Sequence, residues 1–223
     1  MLENVLQISN KSLHLLNRVY GNTGSDTGES AGGTRLEFAD GDIITAIKAT
    51  VQVNNITAAG CSTNPTTNTR TRARLGGRFF NTGVPTPGSS LNDVFAFVGI
   101  QLRSDSTDKP GTLEVIGRVV KCNDSSCFTN TKLDQQTLGA IKVKKKADLS
   151  IQWDKTNHQF IFQFGKLAPV ISTYTVPDTS PAGDPTKGLD LNHRIANCTV
   201  EPRPVAFVDV SFDNVLVNQS AAP

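Results

Sequence analysis

The chain has 223 residues, the size of one all-β domain, and its 22 Lys and Arg against 20 Asp and Glu leave a formal charge of only +2. That balance gives no bulk charge to hold a nucleic acid. With 18 Gly and 11 Pro but one Met and five Glu, turn formers outnumber strong helix formers, which excludes a helical bundle, a coiled coil, collagen and disorder. The longest apolar stretch, Val94 to Ile100, is far below the ~18–20 residues of a membrane helix.

In chain order, Leu2 to Leu16 carries a weak helical period but reads better as two strand pieces around Asn10-Lys11. Met1-Leu2-Glu3 opens no secretory leader, so the sequence reads as a mature or excised piece. Gly21 to Gly33 reads as a Gly/Ser/Thr loop. Ile43 to Val53 alternates apolar and polar residues. Arg70 to Phe80 is an Arg-rich strand that turns at Asn81-Thr82-Gly83, Val94 to Leu102 is the most buried strand, and Leu113 to Val120 follows the Lys109-Pro110-Gly111 turn. Lys142, Lys144 and Lys146 share a strand face, as expected of a solvated sheet edge. Leu149 to Trp153 and His158 to Phe164 flank Asp154-Lys155-Thr156-Asn157, a hairpin signal, and Val205 to Val217 is a long last strand. Strands without intervening helices predict one all-β domain over residues 1–223, a two-sheet antiparallel sandwich.

Four cysteines remain. Cys122 and Cys127 enclose the turn-forming Asn-Asp-Ser-Ser, which predicts a loop-closing disulfide and leaves Cys61 for Cys198, although four cysteines allow three connectivities. His14, His158 and His193 lack the spacing of a zinc site. Two disulfides imply a secreted, periplasmic or cell-surface location.

Three stretches, ISNKSLHLLNRVYG (residues 8–21), DLSIQWDKTNHQFIFQFG (148–165) and AFVDVSFDNVLVN (206–218), resemble the concanavalin A-like lectin/glucanase superfamily. The resemblance implies a jelly-roll sandwich of two bent antiparallel sheets, the concave one often bearing a glycan or substrate site. The superfamily's glucanases carry a Glu-x-Asp-x-x-Glu strand, which this chain lacks. Its alginate-lyase-like members carry an Arg-rich strand, a Gln-x-His strand and a Tyr-bearing strand. Arg70 to Arg74 is loosely similar to the first, Gln-x-His is absent, and Tyr20 and Tyr174 sit in unrelated contexts. Asp213-Asn214 resembles an end-strand carboxylate that helps hold a structural calcium in related modules; no other cofactor is implied.

Alternation then assigns faces. Arg70, Arg72 and Arg74 project from one side of their strand and Ala73 and Leu75 from the other. The same reasoning places Gln101, Glu114, Arg118 and Asp209 on polar faces, so that Arg72, Arg74, Gln101, Glu114, Arg118 and Asp209 are expected together on the concave sheet. There, guanidinium and carboxylate groups could hold sugar hydroxyls or a uronate. The alternative is a ladder of cross-strand ion pairs that solvates an exposed sheet. A catalytic pair of Glu114 and Asp209 is also conceivable, but arginines around Glu114 lower its pKa, the reverse of what a glycosidase acid needs. Trp153 and His158 fit packing positions better than ligand contacts. The expected function is a non-catalytic, extracellular glycan- or surface-binding module, part of a larger secreted or cell-surface assembly. Its partners would be polysaccharides, glycoconjugates or other protein chains, without nucleic acid or a membrane span. The alternatives are a structural or adhesive protein–protein module and a polysaccharide hydrolase or lyase with an atypical site.

Overall fold

A computed structural model describes residues 3–9 and 12–221; the Asn10-Lys11 turn and the Met1-Leu2 start expected above lie outside the described residues. The strands are β1 (Glu3–Ser9), β2 (Ser12–Tyr20), β3 (Glu29–Glu37), β4 (Ala46–Ala58), β5 (Arg70–Asn81), β6 (Asp93–Arg103) and β7 (Thr112–Cys122). They continue as β8 (Asn130–Lys142), β9 (Lys146–Asp154), β10 (Gln159–Phe164), β11 (Val170–Thr173), β12 (Ser180–Pro181), β13 (Lys187–Ala196) and β14 (Val205–Val217). The only helical turns among the described residues are the 3-10 segments Gly41–Ile43 and Asn218–Ala221.

The first sheet runs β1-β2-β14-β4-β9-β10-β11 and the second β3-β13-β5-β6-β7-β8, with β12 pairing β5. All pairings are antiparallel, and the chain passes repeatedly from one sheet to the other, so that β2 and β14 lie side by side. This is the expected jelly-roll sandwich.

Period-two patterning builds the interior. Val208, Val210 and Phe212 of β14, Leu149 and Ile151 of β9 and Phe160 and Phe162 of β10 meet Ala73, Leu75, Val98 and Ile100 of the facing sheet, all buried. Each large aliphatic or aromatic side chain withdrawn from water contributes about 2 kcal/mol. Trp153 stacks on Phe80 at 5.3 Å, and its Nε1 donates to the Tyr174 hydroxyl at 2.8 Å. Tyr174 in turn donates to Asp178, which also meets His158 Nδ1 at 3.0 Å. Trp153 is thus packed against the core at the sandwich end, whereas His158 stays exposed and holds Asp178 from the surface.

Two disulfides join Cys61 to Cys198, 137 residues apart, and Cys122 to Cys127. Lys142, Lys144 and Lys146 do not share a strand face as expected: Lys142 ends β8 at the edge of the second sheet, Lys144 lies in the turn that follows, and Lys146 opens β9 within the first sheet.

The Gly21 to Gly33 loop is corrected in its second half: Glu29 to Gly33 already belongs to β3. A Cβ on Gly33 would lie 2.0 Å from the Leu191 carbonyl oxygen, so this glycine permits a close strand approach and does not mark a turn. The segment Lys187–Ala196 is also a strand that the sequence reading passed over, although Leu189, Leu191, His193 and Ile195 alternate inward.

His193 lies between the sheets with no exposure, its Nδ1 3.2 Å from the Thr71 hydroxyl and its Nε2 without a partner. Burial, reinforced by the Arg74 charge, lowers its pKa from 6.5 to about 4. Between those values the unfolded chain binds the proton and the folded chain does not, so stability falls as pH drops from 6.5 towards 4. The loss is roughly 3 kcal/mol across the window. Urea unfolding at its two ends is expected to show this fall, and His193→Gln, which does not titrate, is expected to flatten it.

Candidate ligand-binding groove

The faces of β5, β6 and β7 that turn away from the core carry the polar half of each alternation. Cross-strand register sets Arg72 beside Gln101 and Gln101 beside Glu114, Arg74 beside Gly99, and Phe97 beside Arg118. A groove of about 530 Å³ opens over this face. One wall comes from β3 with Glu29 and Arg35, the other from the loop closed by Cys122–Cys127, and β13 contributes Asn192 and Arg194 to the floor. Gly99 is bare so that Arg74 can lie across it: a Cβ there would be 3.0 Å from the Arg74 Cγ and 2.6 Å from the Ala73 carbonyl oxygen.

Seven arginines line the groove, and no lysine does. Most have carboxylate partners. Arg74 grips Asp190 with a fork, Nε to Oδ1 at 2.7 Å and Nη2 to Oδ2 at 2.8 Å. Arg70 and Arg194 share Glu29 at 2.9 and 3.3 Å. Arg78 lies 2.9 Å from Asp184, and Arg35 pairs with Glu37 at 3.3 Å and approaches Asp190 at 3.8 Å. These are the ion-pair ladder that the bland reading of the sequence describes.

Arg72 and Arg118 depart from it. Among the described residues neither forms an ion pair. Arg72 is only 7% exposed, and its Nε donates to Gln101 Oε1 at 2.8 Å. Gln101 Nε2 donates to Glu114 Oε2 at 2.6 Å, and the Thr137 hydroxyl donates to Glu114 Oε1 at 2.9 Å. Glu114 therefore fixes the Gln101 amide, whose oxygen then faces Arg72. The Arg118 Nε is buried with no hydrogen-bond partner. Burial, and then the like charges of Arg74, Arg70, Arg118 and Arg194, press the Arg72 pKa well below its ordinary value. A guanidinium does not give up its proton in a protein, so the cost is carried as an uncompensated cation.

The rim carries an aromatic ring that the sequence reading did not single out. Asp124 accepts from the backbone amides of Ser126, Phe128 and Thr129, which shapes the disulfide loop. Phe128 then stands 44% exposed, with the Arg194 guanidinium 4.0 Å above its ring and Arg194 Nη2 donating to its carbonyl at 2.6 Å. Inside the groove, Arg74 sits 5.1 and 4.8 Å from the Phe95 and Phe97 rings, and Arg72 5.6 Å from Phe97.

Of the residues expected together, Arg72, Arg74, Gln101, Glu114 and Arg118 do share one face. Asp209 does not. It lies on β14 in the first sheet, where His14 Nε2 and Asn54 Nδ2 meet its Oδ1 at 2.9 and 2.8 Å. Alternation fixes the face of a strand that a residue takes but not the sheet that the strand joins. The carboxylate pair of Glu114 and Asp209 is divided between the sheets. Asp213 is on the same β14, its Oδ2 3.1 Å from Lys146 Nζ, and among the described residues no group of three acidic, His or Cys ligand atoms gathers around it.

The two kinds of arginine are expected to respond oppositely to substitution. Asp190→Asn strands the half-buried Arg74 charge and is expected to lower stability by about 2 kcal/mol. Arg72→Met removes an uncompensated cation and is expected to leave the denaturation midpoint unchanged or higher. Chemical denaturation of the two variants beside the wild type checks both.

No family model matches the chain, and no curated protein matches its sequence. Among solved structures, an alginate lyase from Klebsiella pneumoniae is similar at 11% identity and a TM-score of 0.46, over 96% of this chain and 83% of that one. The carbohydrate-binding module CBM66 from Bacillus subtilis is similar at 8% identity and a TM-score of 0.40, over 96% and 92%. A Bacteroides ovatus mixed-linkage glucan GH16 protein in complex with a product is similar at 9% identity and 0.43, over 96% and 85%. Likeness at this level carries no inference about ligand or activity; the sandwich stands on its own strand order and register.

Proposed function

We propose that the protein is a non-catalytic module that binds an acidic glycan or glycoconjugate in the groove over β5, β6 and β7. The observation that carries this reading is that two of the seven arginines lining the groove, Arg72 and Arg118, are left without carboxylates. Like charges held this close are tolerable when an anion arrives from outside, and planar forks are the donors that suit oxyanions. Two disulfides favour an oxidising location, secreted, periplasmic or at a cell surface, where acidic polysaccharides are the common polyanions.

The absence of catalysis is supported by the state of the groove's carboxylates. Among the described residues that line it the carboxylate is Glu29, held between Arg70 and Arg194, so the pair of carboxylates that a glycosidase needs is not assembled there. A second reading, assembly with other protein chains, is favoured by β1, an edge strand with Val5, Leu6 and Ile8 exposed. Sedimentation over a range of concentrations separates the two, since only assembly predicts growth in mass.

On a glycan array the protein is expected to be retained on uronate- or sulfate-bearing chains and not on neutral glucans, with retention falling as salt rises. Arg118→Ala is expected to weaken that retention about tenfold or more without moving the melting temperature. No retention on any acidic glycan overturns the proposal.

A further inference from the structure

Resting on that reading, we infer that the anionic group the groove selects is a sulfate ester on a saccharide, in preference to a uronate. The two unclaimed guanidiniums stand on β5 and β7, with β6 and the Phe97 ring between them. Arg72 has given its Nε to Gln101, which leaves its two terminal amino groups, while the fork of Arg118 is wholly unclaimed. Both line the same groove, so donors enter it from two strands. A carboxylate presents two oxygens in one plane: one fork takes both, as Arg74 does at Asp190, and two guanidiniums that share one reach it with a single amino group each, as Arg70 and Arg194 do at Glu29. A sulfate ester presents three free oxygens as a tripod and can accept from two forks at once.

Hydration points the same way. Arg72 is 7% exposed and lies over an aromatic ring, so an anion that reaches it must shed most of its water. A sulfate ester spreads one charge over three weakly basic oxygens and is cheaper to dehydrate than the more basic carboxylate. The groove's all-arginine lining fits this, because a guanidinium is itself more weakly hydrated than an ammonium. Phe128, half exposed at the mouth, offers apolar surface to the sugar ring that bears the group.

The test is titration calorimetry of the full chain with three polymers: dextran sulfate carrying one sulfate per sugar, polygalacturonate carrying one carboxylate per sugar, and unmodified dextran. At physiological ionic strength the sulfated polymer is expected to bind about tenfold more tightly than the uronate, and dextran not at all. Arg72→Met and Arg118→Met are each expected to erase that preference. Gln101→Glu, which sets a carboxylate beside Arg72, is expected to do the same, with melting temperatures certifying that each variant is folded. Equal or tighter binding of polygalacturonate overturns the sulfate inference and leaves the acidic-glycan function standing. A sulfate preference that survives all three variants overturns it as well, because the selectivity then lies elsewhere. Failure of both acidic polymers to bind overturns the inference and the function together.

Discussion

The outer face of the second sheet is governed by one constraint: Arg70, Arg72 and Arg74 follow one another on the same side of β5, where their charges repel. The neighbouring strands answer it unequally. Asp190 on β13 and Glu29 on β3 neutralise the outer two, whereas the middle one receives only the amide oxygen of Gln101. Most of what distinguishes this face follows from that inequality. Gly99 clears a path so that Arg74 can reach over the Phe rings, Glu114 and Thr137 set the Gln101 amide, and Arg118 adds a second unclaimed cation across β6.

The same inequality bears on stability. Arg70 and Arg74 are held by carboxylates and Arg72 between them is not, so neighbouring positions on one strand are expected to act oppositely on folding. A desolvated cation kept at a cost is the usual mark of a position retained for what it meets and not for what it stabilises. Beneath this face, Ala73 and Leu75 of β5 and Val94, Ala96, Val98 and Ile100 of β6 face inward and are fully covered.

Much of the fold was legible because alternation is a local property. Ala73 and Leu75 against Arg72 and Arg74, or Val208 and Phe212 against Asp209, can be sorted without knowing any partner strand. What alternation lacks is the identity of the neighbour, and Asp209 shows the consequence: its face was right and its sheet was not. Arg194 and Asp190 went unnoticed for a simpler reason. Their strand carries an inward His193 and follows a Pro- and Gly-containing stretch, which hid a regular pattern that was present. Phe128 gave no periodic signal at all, because a loop folded on its own Asp124 carboxylate obeys hydrogen bonding and not period.

The wall that carries Phe128 is a short turn tied off by the Cys122–Cys127 bridge and leaning on the sheet through Arg194. Asp124, inside the ring that the bridge closes, holds the amides of Phe128 and Thr129 just outside it, so the placing of Phe128 depends on both the bridge and that carboxylate. Opening the bridge or replacing Asp124 would therefore loosen the mouth of the groove while its arginine floor, built on the sheet, stays in place.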